Sequence, residues 1–429
     1  MSLTGSPTAS PKSPQKAPRG TRLSTVLRAA EIDTRLLGML GALAIILIAF
    51  QFWSGGTFLT PRNLWNLSVQ TATVAIMATG MVLVIVSRNI DLSVGAVLAA
   101  VGMAMAMLQA EILPKWLGFD HWATWIIVLL AGLLMGALIG GLHGFIVAYV
   151  GVPSFIVTLG GWLVWRGVAW SMASGRTIAP MDSTFQLLGG GSRGNIGGFW
   201  SWIVGAVACV GIVAMLVVAR RQRRKFGLRL RRLGAEVALG AISCGVVLGI
   251  VAYLNLYYLP ELVAAGRGGG KISFGLANPV LIAIGVTLVV TFIATRLRFG
   301  RYVFAIGGNP EAAELGGIKT RWTIMKTFIL MGILVAVAAA VQIARLNAAV
   351  SGLGQGAELS VIAAAVIGGT SLSGGVGTAT GAVLGALVMQ SLQSGMVLVG
   401  VEAPVQDIAV GVVLVLAVSL DTIFKRRPK

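Results

Sequence analysis

From Leu36 to Leu420 the sequence is a succession of apolar runs separated by short polar stretches, most of them long enough to cross a bilayer core. Six can be read in the first half: Leu36–Trp53, Val69–Val86, Leu92–Leu108, Trp122–Val150, Phe155–Met172 and Phe199–Ala219. Six more follow: Val237–Leu259, Val280–Ala294, Thr327–Ala344, Leu359–Ile367, Gly381–Val399 and Val405–Leu420. In hydrocarbon every backbone N–H and C=O must find its partner within the protein, so spanning segments are helices or strands of a closed barrel. The runs lack the alternation of barrel strands. The expected fold is therefore an all-α, polytopic transmembrane helical bundle of about 10–12 helices. Leu359–Ile367 is too short to span alone, and Leu92–Leu108 follows its predecessor with almost no loop. One or two broken helices are expected there.

Charge points the same way. Only 11% of the 429 residues are charged, against about 25% in a soluble protein. The net charge of +19 raises the question of nucleic acid, and the positions of the charges answer it. Basic residues gather in the N-terminal tail (Lys12, Lys16, Arg19, Arg22, Arg28, Arg35), in RRQRRKFGLRLRR (Arg220–Arg232), between Arg296 and Lys326, and in the closing KRRPK. With the N-terminus in the cytoplasm, twelve crossings put all four groups on the cytoplasmic side and the C-terminus with them. Nucleic acid is not an expected partner; anionic membrane lipids are.

Residues 1–35 read as a cytoplasmic tail, its Ser-, Pro- and Lys-rich start disordered. Residues 36–424 read as one membrane domain and 425–429 as a short basic tail. Leu36–Trp53 is longer than the core of a signal peptide and follows a long tail, so it reads as a helix that stays. No polar stretch is long enough to bury a soluble core. Cys209 and Cys244 sit in apolar runs and read as packing residues, and His121 and His143 are far apart, so no metal site or cofactor is expected.

The stretch GGNPEAAELGGIKT (Gly307–Thr320) superficially resembles a phosphate loop. A Walker loop places lysine directly after glycine, following a buried strand. Here Ile318 separates Gly317 from Lys319, and no strand pattern precedes them. The residues instead spell a short helix. Asn309 is suited to the N-cap, Pro310 to the first position, and Glu311 to the positive end of the dipole. Ala312, Ala313, Glu314 and Leu315 complete about two turns, and Gly316 or Gly317 can take a left-handed C-cap. The helix lies in a cytoplasmic loop spanning about 298–321.

IVSRNIDLSVGAVLA (Ile85–Ala99) echoes VIGGTSLSGGVGTATGAVLG (Val366–Gly385): each is an apolar helix, a polar break and a new helix carrying GAVL. MATGMVLVIVSRNIDLSVGAVLA (Met77–Ala99), VPSFIVTLGG (Val152–Gly161), ELSVIAAAVIGGTSLSGGVGT (Glu358–Thr378) and GVVLVLAVSLD (Gly411–Asp421) together resemble the sugar-type ABC importer permeases that carry ribose, xylose, arabinose or galactose. NPEAAELGGIKT after FGRYVFAIGG resembles that family's coupling loop. The added basic loop and helix near Arg220–Leu259 look most like its xylose permeases. The chain departs from the family at Ser87–Arg88–Asn89, where many members have two glycines. The resemblance implies a non-enzymatic transport subunit in a bacterial inner membrane, working as a homodimer. It implies a separate ATPase subunit seated on Asn309–Gly316 and a periplasmic sugar-binding protein. A monosaccharide, such as the pentose xylose, is the implied cargo.

Polar breaks at membrane depth are tolerated only where they are buried or line a cavity, and broken helices form substrate sites in many transporters. Asn89, Asp91 and Ser93 on one break, and Thr370, Ser371 and Ser373 on the other, are the candidate pathway residues. Asp91 has two blander readings, a cap for the helix starting near Ser93 or a partner for Arg88; the Gly/Ser run can equally serve close packing. Glu358 reads as a cap of its own helix, and Gln406 and Asp407 as surface residues. Phe155, Trp162, Trp165 and Trp170 suit lipid-facing or interfacial anchors, with stacking on a passing sugar as the lesser alternative, and Arg166 should face protein, water or an interface. An ion-driven secondary transporter is the main rival, and Asp91 is its one fair ion-site carboxylate. A membrane enzyme is another, without a visible catalytic cluster. Within the implied class the cargo could also be ribose, arabinose, galactose or a branched-chain amino acid.

Overall fold

The apolar runs fold as helices, and among the described residues only isolated bridges join the loops. The computed structural model describes residues 34–228, 230, 233–261 and 270–426. Most of the tail expected to be disordered lies outside the described residues, but Thr34 and Arg35 already belong to the first helix. Of the basic C-terminal tail, 425 and 426 end the last helix and the rest lies outside.

In chain order the helices are α1 (Thr34–Trp53), α2 (Pro61–Val86), α3 (Val94–Met107), α4 (Thr124–Phe145), α5 (Ser154–Ala173), α6 (Gly197–Lys225) and α7 (Leu233–Leu254). There follow α8 (Asn278–Arg296), α9 (Arg298–Gly308), α10 (Pro310–Leu315), α11 (Thr320–Leu346), α12 (Ala357–Ile367), α13 (Ala379–Leu398) and α14 (Ala403–Arg426). Two of them run on through a wider π-turn, α3 over Leu108–Ile112 and α4 over Ile146–Val150. Among the described residues nine helices are long and apolar enough to cross a membrane. The 20 residues of α5 have the length, but Arg166 and three tryptophans dilute its hydropathy. With 11 residues α12 rises ~16 Å, about half a bilayer core.

Glycine decides how closely the central helices approach. On α4, Gly132, Gly136, Gly140 and Gly144 recur every fourth residue and form one stripe. A Cβ on Gly136 would lie 2.3 Å from the Gly332 carbonyl of α11, and one on Gly140 would lie 2.2 Å from that of Phe328. Two backbones therefore touch, the small-residue packing that lets helices associate in lipid. The same core takes in α2, with 94% of its apolar window buried, whereas α6 has only 6% buried. Helices α6 and α7 pair with each other at the periphery, where the thiols of Cys209 and Cys244 each face the other's carbonyl at 3.8 and 3.9 Å. Both thiols are free, as packing residues should be.

Loop contacts define two ends of the bundle. At one, which we call the junction end, α2 stops at Val86, α9 stops at Gly308, and the Gly375 N–H donates to the Val86 carbonyl. At the opposite end Trp65 donates to the Gly275 carbonyl and Ile178 pairs with Ala349. From that opposite end residues 347–356 turn back into the bundle, so that Gly354 packs on Gly95 of α3 and α12 starts at about mid-depth.

Candidate functional site

Three features have functional geometry. The first is a cavity of about 690 Å³ between mid-depth and the opposite end. Spacing places its polar lining. Gln70 and Thr73 are three apart on α2, and so are Gln390 and Gln393 on α13, so each pair shares a helix face. From α11 come Gln342 and Arg345, from the start of α12 Glu358 and Ser360, from α5 Trp162, and from α14 Asp407. Thr73 donates to Gln342 Oε1 at 3.2 Å, and Gln393 donates to Ser360 Oγ at 3.1 Å. Buried atoms around the cavity lack a well-formed hydrogen bond: Gln390 Oε1 and Arg345 Nε have no partner, and Glu358 and Trp162 meet only in a loose contact with each other. Glu358 is 9% exposed. Buried polar atoms are ordinarily paired, and these surround a space able to hold a polar solute. The N-cap of α12 is Gly356, and the Glu358 carboxyl lies against the Gly356 and Glu358 N–H groups, as a cap of its own helix would; this N-terminus opens onto the space, and a half-helix terminus adds its dipole to such a site. Arg166 faces protein, donating to the carbonyls of Ser351 and Leu353 and so anchoring the returning loop.

The second feature is the junction. Between α2 and α3 the chain runs through Ser87–Ser93 as a non-helical link, buried at Ser87, Asn89, Asp91 and Ser93 and exposed at Arg88. Its polar groups are satisfied one by one. Asn89 donates to the Ser87 carbonyl, the Ile90 N–H to Ser154 Oγ, and Thr158 to the Ile90 carbonyl. Asp91 Oδ1 accepts from the Ser93 N–H at 2.9 Å and from Ser93 Oγ at 2.6 Å. Trp165 can only donate, so at 3.0 Å His143 Nε2 accepts, which leaves the ring proton on Nδ1 facing Ser93 Oγ at 3.3 Å. The second interruption, between α12 and α13, turns on Gly374 and Gly375, both with positive φ. There Ser371 and Ser373 share a hydrogen bond of 2.8 Å, Thr378 caps α13, and buried Thr370 Oγ1 has no partner.

The third feature is α10, formed as its residues dictate. Asn309 Oδ1 accepts from the Ala312 N–H at 3.1 Å, and Pro310 takes the first position. The left-handed C-terminal residue is Gly317 (φ 82°), while Gly316 stays at φ −74°. Ala313 packs inward; Glu311, Ala312, Glu314 and Gly316 face out, and Leu315 is 91% exposed.

The family described as branched-chain amino acid transport system / permease component matches residues 63–243 and 263–418. The chain belongs to this permease family. The permease is 38% identical over 396 residues to the xylose transport system permease protein of Escherichia coli K12, covering 92% of this chain and 94% of that one. It is 31% identical to the ribose import permease protein of the same strain, covering 88% and 91%, and 26% identical to its D-allose transport system permease protein, covering 90% of each. The likeness to the sugar-type ABC importer permeases read from the sequence is thus shown. No solved structure matches the permease. It is a multi-pass membrane protein.

In the permease the six residues expected along a pathway divide between the two interruptions: Asn89, Asp91 and Ser93 on the first, Thr370, Ser371 and Ser373 on the second. The interruptions meet at Val86 and Gly375, but none of the six lines the large cavity. Asp91 caps Ser93, and Arg88 turns away from it to the carbonyls of Gly307 and Gly308. Glu358, Trp162 and Asp407, given bland readings above, line the cavity, while Gln406 bonds to the Val401 carbonyl. Trp170 and Phe155 are exposed on the flank of α5. Sequence reasoning passed over Gln70, Gln342, Arg345, Gln390 and Gln393. Their signal was present: glutamine and arginine in or beside apolar runs are costly facing lipid, and every one of these glutamines has a polar neighbour three residues away, in the pairs Gln70 with Thr73, Gln342 with Arg345 and Gln390 with Gln393.

Proposed function

We propose that this permease is the membrane subunit of an ATP-driven importer for a monosaccharide, a pentose such as xylose being the best fit. The observation that carries the reading is the cavity, whose lining is rich in neutral amides and hydroxyls with orphaned hydrogen-bonding atoms. Such groups exchange hydrogen bonds with a sugar without holding it too tightly to release. Glutamine, threonine and tryptophan surround the space, and Asn89, Asp91, Ser93, Thr370, Ser371 and Ser373 lie along the continuation toward the junction end. In this reading the exposed residues of Asn309–Gly316 seat an ATPase subunit. Two copies of the chain form the pore, a periplasmic binding protein delivers sugar, and both termini lie in the bacterial cytoplasm. Coupling then requires that the ATPase prefer one state of the pore.

The test is uptake of radiolabelled xylose into vesicles holding the permease and its ATPase, with binding protein outside. Uptake should need internal ATP-side nucleotide and both partners. Concentration of sugar by the pure chain under an ion gradient would overturn the reading. A branched-chain amino acid is the second reading, favoured by Arg345 and Glu358, which could meet a carboxylate and an ammonium group across one cavity. Competition of xylose uptake by excess leucine separates the two.

A further inference from the structure

Arg88 has no part in the pathway just described, yet it occupies the most constrained position of the junction. Its φ of 64° lies in the left-handed region, where a Cβ crowds the following carbonyl. Its guanidinium explains what the chain gains. Nε donates to the Gly307 carbonyl at 2.8 Å and Nη2 to the Gly308 carbonyl at 2.8 Å. These are terminal carbonyls of α9, which no helical N–H can reach. The next helix opens with Pro310, which has no N–H to offer. Arg88 therefore caps α9 from 219 residues away, with the charge a helix C-terminus favours.

The surroundings leave no slack. A Cβ on Gly307 would fall 1.8 Å from the Val86 carbonyl and 2.5 Å from the Gly375 N–H, and one on Gly374 would fall 2.5 Å from Arg88 Cγ. One guanidinium thus sits where α9, both interruptions and the approach to α10 converge. Beyond it, Asp91 and Ser93 tie the first interruption to His143 of α4 and Trp165 of α5. A bidentate planar group fixes both distance and direction, as a single point charge does not.

We infer that Arg88 is the positioning residue through which movement of α10 reaches both interrupted helices. The inference rests on the reading that an ATPase docks on α10. A movement of α10 pulls the Gly307 and Gly308 carbonyls, and Arg88 passes the displacement to Asn89–Ser93 and Gly374–Gly375. Without the guanidinium the glycine contacts remain but the directional link is lost.

The experiment uses the full chain with its ATPase in vesicles, as wild type, Arg88→Gly and Arg88→Lys. Glycine relieves the backbone conformation while deleting the fork, so folding is spared. In Arg88→Gly, ATPase binding and ATP hydrolysis should persist while sugar moved per ATP falls at least tenfold, and Arg88→Lys should recover part of it. Amide exchange is measured alongside, on the same complexes with and without trapped nucleotide. In wild type, exchange across Ser87–Ser93 should respond to nucleotide; in Arg88→Gly it should not. A glycine variant that keeps both the wild-type ratio and the nucleotide response overturns the inference. If no sugar moves in wild type but the Arg88-dependent exchange response is present, the cargo reading falls and this inference stands. If exchange at Ser87–Ser93 ignores nucleotide in wild type, the inference falls whatever the cargo.

Discussion

The cavity and the junction are both polar regions inside an apolar bundle, both built where a helix is broken, and they treat their polar atoms in opposite ways. In the first interruption, Asp91, Ser93, His143 and Trp165 form a closed chain of donors and acceptors. Around the cavity, Gln390 and Arg345 each keep a buried atom without a partner, and Glu358 and Trp162 make only a loose contact. A satisfied network holds one geometry; an unsatisfied one is open to something that completes it. The second interruption stands between them, with Ser371 and Ser373 paired and Thr370 not. On the proposed reading the stiff region transmits and the open one takes the cargo, and substitutions should fall into the same two groups.

The largest effect is expected at the junction. Asp91→Ala strips the Ser93 N–H and hydroxyl of their acceptor at a site 5% exposed. Leaving a buried donor unsatisfied costs about 1–3 kcal/mol. The purified chain in detergent should therefore unfold at distinctly lower temperature. An unchanged melting curve would remove the contrast, because the junction would then be no stiffer than the cavity. The next effect belongs to the cavity. Glu358→Gln keeps the volume and replaces a carboxyl lining the cavity with a neutral amide. The melting curve should stay put while KM for uptake rises about tenfold, ~1.4 kcal/mol of lost binding. A variant that melts early and transports with unchanged KM would place Glu358 with the structural group instead.

A third substitution tests a region outside both. Leu315 is 91% exposed, so Leu315→Ala removes nothing the isolated chain uses. Association with the ATPase should weaken several-fold, about 1 kcal/mol, as expected for an apolar anchor that becomes buried only in the complex. Unchanged association would mean that α10 docks by its glutamates or backbone alone.

How far these groups could be read from sequence depends on the reach of the interactions. Helix α10 was legible because its determinants are local: Asn309 caps a residue three positions on, Pro310 fits the first turn, and a glycine ends it. The apolar runs were legible for the same reason. The breaks at Asn89–Ser93 and Gly368–Gly375 were visible as polar interruptions, but their roles were not, since Asp91 had equally good partners in Ser93 and Arg88 until the chain was folded. The cap of α9 by Arg88 and the contact of Trp165 with His143 join residues whose spacing carries no period. The cavity failed for a subtler reason. It is assembled from α2, α5, α11, α12, α13 and α14, each contributing one or two polar residues that look incidental within their own helix. What was open to reading, and was passed over, is the energetic oddity of Gln70, Gln342, Gln390 and Gln393 in apolar runs.

The smallest expected effect lies outside the spanning segments, in the loop at the opposite end, and it extends the contrast to a group that titrates. Asp182 Oδ1 accepts from the Thr184 and Phe185 N–H groups at 3.0 Å each, while Oδ2 is buried and has only the Asp120 carboxyl beside it. Burial raises its carboxyl above the usual range, and nearby Asp120 adds to the rise, against the lowering pull of the two N–H groups. The folded chain therefore holds this proton more tightly than the unfolded chain does. Between the unfolded value, about 3.9, and the raised folded value, the folded state binds more protons, so this group's contribution to stability declines as pH rises. Asp182→Asn keeps the Oδ1 acceptor and removes the charge. Its melting temperature should lose this part of the pH dependence and match wild type at the acid end of the window. Equal slopes in wild type and variant would show that the loop opens to water freely enough to solvate the carboxylate, and the half-satisfied Asp182 would then belong with the exposed loops rather than with the cavity.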